Sequence, residues 1–251
     1  MQQLPVMVTP STPTKVAFVG IVFGLFALLL WGVAHAGPRL NETPEQTRRV
    51  TVRVALGATA WLGFTAWVSA SGLLERAMLP PPLALFAAGS MAFCVGAAFS
   101  PLGARLVQGV PIAALIAAQG FRLPLEIVLH AWKDQGVLPI QMTFEGHNFD
   151  IVSGVLALLV GAWLWRRKPP RGVIWTFNIV ASILLLVVAT IAVLSSPLPI
   201  RQYLNDPPVL LAFHAPYGWI IPACVGGALF GHILVFRWLS ITAQAARGSG
   251  V

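Results

Sequence analysis

Charge is what this chain has least of. Of its 251 residues only 10% are Asp, Glu, Lys or Arg, and eight are acidic; a soluble domain carries about 25% charged residues, because its surface must face water. That scarcity excludes a sizeable soluble domain. Cysteine is limited to Cys94 and Cys224, both inside apolar runs and without CxxC spacing, so packing is their default role. HExxH, GxSxG, Walker and Rossmann patterns are missing as well, which removes the common sequence signals for zinc proteases, serine hydrolases and nucleotide binders.

What the chain has instead is hydrocarbon. It is 57% hydrophobic, with a mean hydropathy of +0.80. The net charge of +8 is spread over short loops between apolar runs, a distribution that suits membrane orientation and argues against nucleic-acid binding. The expected fold is an all-α membrane protein, a bundle of seven transmembrane helices forming one integral-membrane domain over 1–251. Its spans are read at about 16–36, 52–74, 83–100, 110–132, 148–165, 173–196 and 219–239. The fifth reaches spanning length only if Asn148 or Asp150 caps it. Ala34-His35-Ala36-Gly37 looks like a signal cleavage site, but the apolar run before it exceeds a usual h-region, so a retained first helix is expected.

Basic residues choose the orientation. A cytoplasmic C-terminus puts Arg39, Arg48, Arg49, Arg53, Arg105, Arg166, Arg167, Lys168, Arg171, Arg237 and Arg247 inside. Only Lys15, Arg76, Lys133 and Arg201 then fall outside. The positive-inside rule therefore predicts an external N-terminus and external loops at 133–147 and 197–218. Trp132, Trp165, Trp219 and Trp238 lie near span ends, as interfacial aromatics do. The second external loop, Pro197–Gly218, is too apolar for a free linker and too broken for a span, which predicts an interfacial helix or a lid. The expected setting is a bacterial inner membrane, with the lipid bilayer as partner and room for membrane-protein partners or a homo-oligomer.

The fourth segment carries the chemistry. Arg122, Glu126 and His130 recur every four residues, along one helical face, and Gln119 joins the stripe three residues earlier. A charge at that depth costs roughly 2.5–3.5 kcal/mol on insertion scales and normally faces a partner inside the protein. The expected partnership is Arg122 with Glu126, and Pro124 between them frees a carbonyl or bends the helix. The loop Glu145-Gly-His-Asn-Phe-Asp150 adds carboxylate and imidazole groups. Arg122, Glu126, His130, Gln119, Glu145, Asn148 and Asp150 thus form the candidate solute- or ion-binding set. His130, Glu145 and His147 form the candidate metal set, with zinc the implied ion.

Two seven-helix chemistries can be tested on these residues. A retinal Schiff base needs a lysine in the last helix, and the lysines are Lys15, Lys133 and Lys168. Glu126-xxx-His130 is similar to the first ligand motif of membrane hydrolases of the alkaline ceramidase and adiponectin-receptor type, but the last-helix HxxxH is missing, since His232 has no partner at 228 or 236. A haem held by His130 and His232 is a weaker alternative, and His232 and Asn178 otherwise read as contacts between packed helices. Binding or transport of a small solute or ion is the leading expectation. A metal-dependent membrane-embedded hydrolase and a non-catalytic subunit of a larger membrane complex are the alternatives.

Overall fold

The computed structural model describes residues 5–76, 78–167 and 170–248, and within them the regular structure is helical. Nine α-helices follow in order: α1 (Thr12–Arg39), α2 (Pro44–Ala70), α3 (Pro82–Phe99), α4 (Pro101–Gly109), α5 (Ile112–Ala117), α6 (Arg122–Asp134), α7 (Asp150–Arg166), α8 (Arg171–Ser195) and α9 (Gly226–Gly248). Five helical segments are long and apolar enough to cross a membrane: Thr12–Arg39, Pro82–Phe99, Ile112–Asp134, Arg171–Ser195 and Tyr217–Gln244. The other two expected spans are helical but fall outside that set. α2 carries Glu45, Arg48, Arg49 and Arg53 in its first ten residues, and α7 has 17 residues.

Local chemistry sets the helix ends. Thr43 and Gln46 form a reciprocal capping box at the start of α2, with Pro44 in the first turn. The expected second span runs on to Leu74, but the α-helix stops at Ala70. Gly72 takes a positive φ of 69° and starts a separate 3-10 turn, Leu73–Glu75. Ser100 closes α3, and its hydroxyl accepts from Leu102 N at 3.1 Å to open α4. This short helix is additional to the expected spans. Arg105 on α4 bonds the Val33 carbonyl through Nε and Nη2 at 3.1 and 3.0 Å, and pairs with Glu42 in the α1–α2 turn. Hydrogen bonding from Arg105 holds the Glu42 carboxyl below its usual range.

The second half of the loop 197–218 folds inward, while Ile200 and Leu204 in its first half stay exposed. Val209, Leu210, Leu211, Ala212 and Phe213 are buried, and two 3-10 turns, Leu211–Phe213 and Tyr217–Ile220, lead through a π-helical turn at Ile221–Val225 into α9. Gln141 ties it down through Ser195 Oγ at 3.0 Å and Asn205 at 3.1 and 2.8 Å. This is a packed lid rather than a solvated linker. Trp132 departs from the interfacial role expected of it: it is fully buried against Phe18 and Tyr217, and its indole N–H donates to Thr14 Oγ1 at 3.0 Å.

Apolar packing divides into two main clusters stacked along the bundle. One gathers Phe18, Leu125, Leu129, Trp132, Leu185 and Ile191; the other gathers Val33, Leu106, Ile116, Phe177, Leu234 and Leu239. On α8 the changeover falls between Ala181 and Leu185, and on α9 between Ala228 and Leu234. Arg122 and His232 lie in that seam, and Asn178 reaches His232 from among the α8 residues of the second cluster.

Candidate functional site

Four helices, α6, α7, α8 and α9, meet at Arg122. The helical segment from Ile112 to Asp134 is interrupted by a 3-10 turn, Ala118–Phe121, so α6 begins at Arg122 and Pro124 falls in its first turn. A missing N–H is cheap there, which removes the expected mid-helix break. The tighter turn also rotates Gln119 off the stripe. Gln119 reaches Ala228 O on α9 at 3.4 Å and lines a different cavity, of about 370 Å³, from the one at Glu126.

Arg122 is 1% exposed, and its terminal nitrogens are taken by protein groups. Nη1 donates to Asp150 Oδ1 at 2.8 Å and to the Ala181 carbonyl at 3.2 Å. Nη2 lies 2.9 Å from His232 Nε2. Arginine only donates, so Nε2 must accept, and His232 is the neutral tautomer with its proton on Nδ1. That proton points to Asn178 Oδ1 at 2.7 Å, while Asn178 Nδ2 donates to the His232 carbonyl at 3.1 Å. The expected pairing of Arg122 with Glu126 is therefore replaced by Arg122 with Asp150. His232 and Asn178, read from sequence as packing contacts, orient the guanidinium.

Glu126 is also 1% exposed, and its hydrogen-bond partner is an amide. Asn148 Nδ2 lies 2.8 and 2.9 Å from the two carboxyl oxygens and 3.0 Å from Met142 O. Two amide hydrogens cannot serve three acceptors fully. Asn148 Oδ1 accepts from Asp150 N at 3.0 Å, fastening the start of α7 beside the site. Gly154, one turn further on, lets α7 approach α6 closely: a Cβ there would sit 2.6 Å from Leu123 N. Charge counting is short. Arg122 contributes one positive charge, Asp150 and Glu126 two negative ones when both are ionised, and His232 none.

Glu126, Arg122 and Asp150 line a cavity of about 360 Å³ whose remaining walls are almost wholly apolar, drawn mainly from α3, α6, α8, the loop 197–218 and the π-helical turn. The outer members of the predicted set sit elsewhere. His130 Nε2 is 3.5 Å from Glu145 Oε1 and 3.7 Å from Asp134, its ring stacks on Phe144, and Lys133 Nζ is 2.6 Å from Glu145. His147 is exposed and lies beside Tyr203 instead. Among the described residues no three His, Cys, Asp or Glu side chains are grouped to hold a metal ion. His130, Glu145 and His147 accordingly do not assemble as the metal set the sequence suggested. His232, facing Arg122 through Nε2 and Asn178 through Nδ1, has neither ring nitrogen directed at an axial haem position.

The predicted site thus resolves into a buried core of Arg122, Glu126, Asn148 and Asp150, joined by Asn178 and His232, and an outer group of His130, Lys133, Asp134 and Glu145. No family model, curated protein or solved structure matches the chain, so these side chains carry the functional argument by themselves.

Proposed function

We propose that the chain is a membrane-embedded binding or transport protein whose cleft takes up a single cation, a proton or a small positively charged solute, at Glu126. In this reading α2 and α7 cross the bilayer with the five longer segments. That gives seven spans, with the N-terminus and the loops 133–147 and 197–218 outside and the C-terminus cytoplasmic, as the basic residues favour.

One observation carries the functional reading. Glu126 is buried in an apolar cleft with Asn148 as its hydrogen-bond donor, while the nearby guanidinium is engaged by Asp150, Ala181 O and His232. With both carboxylates ionised the cluster carries one uncompensated negative charge, which is costly in a low-dielectric interior. A proton or a cation on Glu126 removes it. Arg122 acts as the fixed counter-charge that lets Asp150 stay ionised next door, rather than as an anion receptor.

The test is proton and cation binding at one residue. Infrared difference spectra of the purified protein between acid and alkaline pH should show a protonated carboxylic acid that disappears in Glu126→Gln and persists in Glu145→Gln. Vesicles containing the protein and a trapped pH-sensitive dye should show a proton flux that the same substitution abolishes. A carboxyl signal and flux that survive Glu126→Gln would overturn the proposal.

A further inference from the structure

We infer that the Glu126 cleft is built for a lipophilic amine, a molecule with one N–H-bearing cationic head and an apolar body. This rests on the reading of Glu126 as the cation-binding carboxyl and specifies what it binds. Two independent shortages at the carboxyl point the same way. The cluster is short of one positive charge, and Asn148 is short of one hydrogen for the three acceptors around it. An ammonium group supplies both at once. A bare metal ion supplies only the charge, and it needs several oxygen ligands that the apolar walls do not provide.

The rest of the cavity selects the body. Leu83, Leu125, Leu129, Leu185, Val188 and Leu211 are among the apolar residues that line it, and the whole cavity holds about 360 Å³. That is the proportion found in small-molecule sites, where a few polar groups orient an otherwise hydrophobic ligand. The approach is from the side of the bundle. α3 and α8 form facing walls, yet α3 packs on α4 and α9, and α8 packs on α7 and α9. Ala84 and Ala88 on α3 and Val193 on α8, at the rim, are exposed. A molecule dissolved in the hydrocarbon can therefore enter between α3 and α8 with its head toward Glu126. A hydrated ion cannot use that route.

Binding of hexylamine to the purified full-length protein, compared with hexanol, hexanoate and hexyltrimethylammonium, tests this by calorimetry. Hexylamine should bind at least about tenfold more tightly than hexanol or the quaternary analogue, which lack the charge or the N–H donors. Hexanoate should not bind. Glu126→Gln, which keeps the side-chain shape, should remove the preference for the amine, and Ala189→Phe, which fills the cavity from its rim, should remove binding of amine and alcohol together. Equal affinity for hexylamine and hexanol, or an amine preference that survives Glu126→Gln, would overturn the inference. If no amine binds while the Glu126-dependent carboxyl signal is present, the lipophilic-amine inference fails and the proton-binding reading stands. If that signal is also missing, both fail.

Discussion

At the residue scale, the interaction that decides the site is Arg122 with Asp150, and its energetics separate it from Glu126. Removing one partner of a buried pair typically costs about 3–5 kcal/mol, because the other charge is left unpaired. Asp150→Asn should therefore lower thermal stability strongly, whereas Glu126→Gln should cost much less, since among the described residues the partner of Glu126 is the Asn148 amide and not a cation. The double replacement Arg122→Met with Asp150→Leu should recover most of the loss. Thermal unfolding in detergent of all three variants is the measurement. If Glu126→Gln proved as damaging as Asp150→Asn, the pairing of Arg122 with Asp150 would not be the one that matters. Sequence periodicity places Arg122 and Glu126 on one buried helical face and misassigns their partnership, for a definable reason. Spacing within one helix reports which side chains share a face, and both residues do point inward. It carries no information on what the neighbouring helix offers. Asp150 lies 28 positions away, and in sequence it is indistinguishable from a helix cap. His232 and Asn178 have still less signal, since a lone polar residue in an apolar helix fits packing as well as recognition.

At the element scale, α7 is the piece that delivers Asp150, and its close approach to α6 is what holds the carboxylate against the guanidinium. Gly154 permits that approach, because any side chain there would meet the backbone of Leu123 rather than a flexible chain end. Further along the helix, Gly161 does the same beside Ala117. Overpacking a close contact usually costs about 1–3 kcal/mol. Gly154→Val should destabilise the protein by that amount and also weaken binding at the cleft, because pushing α7 outward withdraws Asp150 from Arg122 and Asn148 from Glu126. Gly172→Val, where a Cβ would meet open space, is the control and should leave binding intact. Stability and hexylamine affinity measured on both variants decide the matter. A Gly154→Val protein that binds normally would show that α7 position does not control the site. The helices themselves are legible from composition and proline placement, and most observed boundaries fall within a few residues of the expected ones. The larger departures are the start of α2 at Pro44 rather than 52 and the run of α9 on to Gly248 rather than 239, and three others have local causes: the 3-10 turn before Arg122, the additional helix α4 opened by Ser100-Pro101, and the end of α2 at Ala70 ahead of Gly72.

At the scale of the whole molecule, the external placement of Asn148 depends on α7 crossing the bilayer. Its 17 residues reach about 26 Å at ~1.5 Å per residue, a little less than a hydrocarbon core of about 30 Å. Yet its two ends have opposite characters. The N-terminal end is locked to α6 through Asn148 and Asp150, and the C-terminal end finishes in exposed Trp165, Arg166 and Arg167. In the proposed topology this would be a span with its basic end anchored at the cytoplasmic interface and slight bilayer thinning covering the shortfall. Lys168, counted with the same basic group, lies outside the described residues. Cys94 and Cys224 are buried, so an introduced cysteine can be read against a quiet background. His147→Cys should react with a membrane-impermeant maleimide in intact cells, and Arg167→Cys should react only after permeabilisation. Labelling of both from the same side would mean that α7 is a half-span, leaving six crossings and both termini on one side. A reversed pattern would keep seven spans but turn the lid, the Glu145 group and the Asn148 loop toward the cytoplasm, so that a solute entering between α3 and α8 would reach Glu126 from the cytoplasmic leaflet.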